Sequence, residues 1–220
     1  MTIQVGTQGG HEFVPAEHTP PDGDAPRRAL ALAQIRWRST NMAVSTQRFL
    51  AESVQLIADA LEVPLVKVLE LERSGKWLLV RAGVGWAPGI VGRAKVPVGT
   101  TSHAGLTISM DTPVIYDNLP HVAWFSESDI LRRHDVVSGM SAVVGAGGRP
   151  VGVLTVHHTR QRTFTPAEAK FLLRAAALIS EGIAARSLQD SRASETTESA
   201  TSQENAVEHQ LPLGLTRQAQ

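Results

Sequence analysis

Cysteine is absent from the 220 residues, which removes disulfides, thiolate nucleophiles and cysteine metal sites together and leaves the redox compartment open. Excess charge is missing too. Lys and Arg number 21 against 21 Asp and Glu, so nothing electrostatic draws the chain to nucleic acid or to an anionic membrane surface. No apolar run approaches the roughly 18–20 residues that a membrane helix needs. The first ten residues hold neither the basic start nor the apolar stretch of a secretory signal. These absences make the cytoplasm the expected location, with no nucleic acid and no membrane as partner. What the chain does have is 42% hydrophobic residues, enough for one sizeable core between polar tails.

Residues 1–23 carry Gly9-Gly10, Pro15 and Pro20-Pro21 among few large apolar side chains, and are expected to be disordered because burial cannot offset their ordering entropy. From Asp24, with Pro26 just inside a helix start, the pattern turns helical. Leu50, Val54, Ile57 and Leu61 form one apolar stripe that ends before Pro64. Leu65, Lys67, Leu69 and Leu71 then alternate with Val66, Val68, Glu70 and Glu72, turn at Ser74-Gly75 and return through Trp77-Leu78-Leu79-Val80, which reads as a β-hairpin. The glycines of Gly83-Val84-Gly85-Trp86 have the wrong spacing for a dinucleotide fingerprint and serve a turn. A strand from Pro113, a short helix, and a hairpin of Ser138–Gly145 with Val151–His157 follow; the last two strands are expected at the centre of the sheet.

Thr165-Pro166-Ala167-Glu168 announces the final helix with an N-cap, a proline in the first turn and a Glu three residues after the cap. Its apolar positions exceed what one sheet can cover, leaving Phe171, Leu178 and part of Leu30–Trp37 for a helix partner. A homodimer through the terminal helices is the expected solution. Residues 189–220, rich in Ser, Thr, Glu and Gln, are expected to form a disordered polar tail, which leaves 24–188 as the folded domain.

Among eight histidines, no pair has the helical spacing of a zinc motif, so no metal site is expected. His157 and His158 end a strand and point to opposite faces, so one of them faces a pocket. His134 follows a short helix and is read as capping its carbonyls. His103 lies in Gly99-Thr100-Thr101-Ser102-His103-Ala104-Gly105, where small residues bring backbone N–H groups close to a ligand. Ser102 beside His103 does not make a hydrolase, because neighbouring side chains diverge and no nucleophile elbow is present. No catalytic residue is assigned. Trp86 and the pair Trp124-Phe125 serve as core or as ligand wall.

The run Pro113-Val114-Ile115-Tyr116-Asp117-Asn118-Leu119, then Trp124-Phe125, Leu131-Arg132-Arg133-His134, Val136-Val137-Ser138-Gly139-Met140 and Pro150-Val151-Gly152-Val153-Leu154-Thr155-Val156-His157, resembles a GAF domain of the kind embedded in bacterial sensor histidine kinases. Residues 61–71 and 79–86 resemble the opening hairpin of such modules, so the likeness spans about 49–186. It implies an α/β (α+β) fold: an antiparallel sheet of five or six strands, terminal helices on one face and a lidded pocket on the other. It implies a non-catalytic sensor of a small molecule in signal transduction, with Trp86, Ser102, His103, Trp124, Phe125, His134, Met140, Val156 and His157 as ligand-binding residues.

Family ligands include cyclic nucleotides, bilins and haem. Zero cysteines disfavours covalent bilin attachment and the methionine-sulfoxide-reductase chemistry of one branch. His157-His158 stands where cyclic-nucleotide binders often carry Asn-Lys. Haem held by His103, His134 or His157 is an alternative, and a closed-pocket interaction module is another. The residues after the last helix carry no kinase signature or helix-turn-helix, so if the chain is the whole protein, a signalling partner or self-association is expected to carry the output.

Overall fold

The computed structural model describes residues 3–5, 23–100, 102–110, 113–119, 128–146 and 149–208. Two helices lead into the sheet, α1 (Ala25–Thr40) and α2 (Thr46–Leu61). Pro26 sits in the first turn of α1, and the Ser45 hydroxyl accepts from the Arg48 N–H at the start of α2. Glu62, in the left-handed region at φ 51°, ends α2 two residues before Pro64.

The hairpin then forms from β2 (Leu65–Leu71) and β3 (Trp77–Val84), turning at Gly75, whose φ of 68° suits glycine. Next come β4 (Lys95–Pro97), α3 (His103–Met110), β5 (Val114–Tyr116), α4 (Asp129–Arg132), β6 (Ser138–Ala146), β7 (Arg149–His158) and α5 (Pro166–Glu208). Strands β2 to β7 are antiparallel and, as expected, β6 and β7 lie centrally in the order β5-β6-β7-β2-β3-β4.

Three features depart from the sequence-based expectation. Within the segment read as disordered, Ile3–Val5 forms a strand, β1, parallel to β5. Strand pairing satisfies backbone groups and needs no core of its own, and β5 would otherwise leave an open edge. The polar tail is helical as far as Glu208. Each residue added to an existing helix gains a hydrogen bond without a new nucleation cost, and no Gly or Pro interrupts residues 189–208. Finally, Phe171 and Leu178 are buried within the single chain. They join the main core with Ala31 and Ile35 of α1 and Phe49 of α2, so α1 is the helix partner that α5 requires.

The two faces of the sheet divide by strand alternation. Val66, Val68, Met140, Ala142, Leu154 and Val156 point into the core beneath α1, α2 and α5. The intervening residues point the other way, toward α3 and α4: Leu65, Leu69 and Val153 enter two smaller clusters there, and Lys67, Ser141, Thr155 and His157 are buried between them.

Candidate functional site

The pocket face is built around a charge on an apolar strand. In β2, Lys67 lies between Leu65 and Leu69 on the same face and opposite Thr155 of β7, and it is only 3% exposed. Its Nζ is 3.3 Å from His157 Nε2 and 3.9 Å from the centre of the Trp86 ring. Trp86 is fixed in turn by its indole N–H, which donates to the Val66 carbonyl at 2.8 Å. Among the described residues no carboxylate pairs with Lys67: Glu70, Glu72 and Asp129 engage Arg81, Lys95 and Arg132. Burial alone pulls the lysine down to about 7.

His157, 1% exposed, holds the centre. Its Nδ1 is 2.9 Å from the Tyr116 hydroxyl and its Nε2 is 3.0 Å from Thr155 Oγ1. Gly139, opposite His157 across the β6–β7 ladder, leaves the room this pairing needs: a Cβ there would lie 2.7 Å from both His157 Nδ1 and the Tyr116 oxygen. Burial first, then the charge of Lys67 and the nearby His103, keep His157 well below its ordinary value.

Helix α3 closes the site from above. Ser102 accepts from the Gly105 N–H and donates to the Pro97 carbonyl, both at 3.0 Å, which fixes the start of the helix. His103, the first helical residue, turns inward. Its Nε2 is 3.2 Å from the Val114 carbonyl and 2.9 Å from Ser141 Oγ; a carbonyl only accepts, so Nε2 carries a proton. Burial lowers His103 to about 3, against the bond to Val114. Thr107 donates to the His103 carbonyl and also bonds Ser141, so one network joins α3, β5 and β6. Both histidines are therefore neutral near pH 7.

Between these groups lies a cavity of about 10 Å3, lined by Lys67, Ser102, His103, Thr155 and His157, with Leu131 and Ser128 at the α4 side. That is room for about one water molecule. Ser102, His103 and His157 meet at this cavity, with Trp86 flanking Lys67.

Met140 and Val156 do not belong to the site. They form a cross-strand pair on the opposite face, inside the helix-packed core. The local pattern is apolar on both faces, so only the register decides which residues meet the pocket. His134 is not a pocket residue either. Its Nδ1 donates to the Ile130 carbonyl at 2.7 Å, as a helix-end cap does, while its Nε2 accepts from the Ala87 N–H at 2.9 Å and the ring packs edge-on to Trp86. Trp124 and Phe125 lie outside the described residues. Sequence reasoning missed Lys67, Tyr116, Ser141 and Thr155; a lysine alternating with leucines was the available signal.

The GAF domain family profile matches residues 45–183. This chain belongs to the GAF domain family. Among curated proteins none matches. Solved structures share the fold: the GAF domain of a phosphoenolpyruvate-protein phosphotransferase from Coxiella burnetii is 17% identical at a TM-score of 0.69, covering 76% of this chain and 98% of that one. The corresponding domain from Acinetobacter is 22% identical at 0.64, covering 74% and 97%. Free methionine-R-sulfoxide reductase from Neisseria meningitidis, in complex with its substrate, is 16% identical at 0.64, covering 79% and 97%.

As a GAF domain the chain carries its polar groups on the pocket face of the sheet. Haem does not suit this arrangement. Nε2 of His103 and of His157 are both engaged, and the cavity is far smaller than a macrocycle. Among the described residues no group of three or more metal-ligating side chains forms, and no helix is long and apolar enough to cross a membrane.

Proposed function

We propose that this GAF domain is a non-catalytic sensor of a small molecule, acting in the cytoplasm, and that it reports occupancy of the Lys67–His157 cavity through α5. The observation that carries the reading is the convergence of Lys67, His103, Thr155 and His157 on one cavity in an otherwise apolar layer. A packed layer with no ligand to hold would be more stable with apolar groups of similar volume at these positions. No pair here has the geometry of a nucleophile with its base: the buried hydroxyls bond carbonyls or neutral histidines that are themselves engaged. The substrate-bound Neisseria relative is a reductase by name; this chain has no cysteine to offer a thiol chemistry.

The output runs through self-association and a signalling partner, such as the kinase-type systems in which similar modules occur. Leu30 and Trp37, two helical turns apart on α1, and Leu188 on α5 are about 60% exposed, large apolar side chains that a second copy would cover.

Native mass spectrometry of the full chain purified from the cells that make it tests both parts. A retained small molecule on a dimer is the expected result. An empty protein that no small molecule stabilises would replace the sensor with the second reading, a closed-pocket interaction module, which the small size of the cavity favours.

A further inference from the structure

Lys67 is a buried cation with no counter-charge among the described residues, and the groups around it are arranged to receive one. We infer that the ligand of this site is a compact monoanion, a halide or a one- or two-carbon carboxylate, bound against Lys67 Nζ at the N-terminal end of α3. The inference rests on the sensor reading above and names its ligand class.

The geometry supports it from two sides. An ammonium has three N–H donors. One is directed at His157 Nε2 and one face rests on Trp86, so a donor is left for the cavity that Lys67 lines. With Lys67 donating to Nε2, His157 carries its proton on Nδ1 and donates to Tyr116, and the Thr155 hydroxyl, 3.0 Å from Nε2, donates to that same nitrogen. From the other side, His103 and Ala104, the first residues of α3, line the cavity and turn the positive end of that helix dipole toward it.

Among the described residues, the other titratable groups that face Lys67 are His157 of β7, His103 of α3 and, behind His157, the Tyr116 phenol of β5. Both histidines are neutral near pH 7 and neither repels an anion. The cavity size excludes larger ligands as the site stands, so chloride and formate fit with least adjustment, and acetate displaces neighbouring side chains.

The test uses the full chain in a bulky sulfonate buffer at constant ionic strength. Sodium chloride, formate or acetate is titrated at pH 6.5 while thermal melting and tryptophan fluorescence are followed. At least one of the three is expected to raise Tm saturably, and the response to weaken roughly tenfold in apparent affinity per pH unit above 7, where the site must take up a proton to bind. Lys67→Met and Lys67→Gln should stay folded and lose the response, and Lys67→Met should melt higher than wild type without anion, since it removes an unpaired buried charge.

No saturable response to any of the three overturns the anion assignment, as does an equal response in Lys67→Met. In that event, a neutral compound retained in native mass spectrometry would leave the sensor reading standing, and an empty protein would remove both.

Discussion

Lys67 makes the acid–base behaviour of this fold unusual. The unfolded chain keeps the lysine proton up to its ordinary value of 10.5, whereas the folded chain keeps it only to about 7. Between these values the unfolded state binds more protons, so stability rises with pH, and it is lowest below 7, where the buried charge is fully present. His103 acts in the same direction between about 3 and 6.5. In anion-free buffer Tm should therefore climb from pH 4 to pH 9, and Lys67→Met should flatten the limb above 7 while leaving the acid limb. A few kcal/mol are at stake for a shift of this size.

Gly139 gives a second single-residue test. A methyl group there meets Tyr116 and His157, both fully buried, so Gly139→Ala should lower stability by about 1–3 kcal/mol in urea unfolding. The residue scale was also the least legible in the sequence. Alternation put Lys67 with leucines, but it could not separate Met140 and Val156 from Ser141 and Thr155, because both faces of β6 and β7 are covered.

Secondary-structure elements were read with fewer losses. The final helix starts as its first four residues dictate: Thr165 Oγ1 accepts from the Glu168 N–H at 3.2 Å, and the Glu168 carboxylate accepts from the Thr165 N–H at 2.7 Å. Arg162 also pairs with Glu168. Its far end was misjudged because composition speaks to burial, and an extending helix needs none.

What no local pattern announced is Arg186. This buried side chain of α5 donates to the carbonyls of Arg38, Ser39, Asn41, Val44 and Gly182, and its guanidinium rests 4.3 Å from the centre of the Phe49 ring. It thereby satisfies the carbonyl end of α1 and the α1–α2 connection at once. A lysine has one nitrogen and cannot span five acceptors. Arg186→Lys should cost on the order of 2–4 kcal/mol by urea unfolding, with the loss concentrated in faster hydrogen exchange of residues 38–44.

At the scale of the molecule, three helices cover one face of the sheet, and α3 and α4 cover the other. α5 continues about 20 residues beyond Leu188, roughly 30 Å of helix. Leu30 and Trp37 on α1 and Leu188 on α5 are exposed. Light scattering of the full chain should give a dimer at micromolar concentration, and Trp37→Glu, which leaves the core untouched, should give a folded monomer. A wild-type monomer at high micromolar concentration would remove self-association as the route of output. The GAF architecture was legible in its antiparallel strands and flanking helices, since motif order, hairpins and helix starts agreed with one another, while β1 and the extension of α5 were not.

The alternation of β7 has a consequence for how such a module can diversify. Thr155 and His157 line the cavity while Leu154 and Val156 serve the helix-packed core, so ligand chemistry and structural support are written on the same strand in alternate letters. Substitution can rewrite either set separately. Insertion or deletion of one residue would exchange them, driving a histidine under α5 and a valine against Lys67. Descendants of this chain can therefore change what they recognise one side chain at a time, but they inherit the reading frame of the strand unaltered.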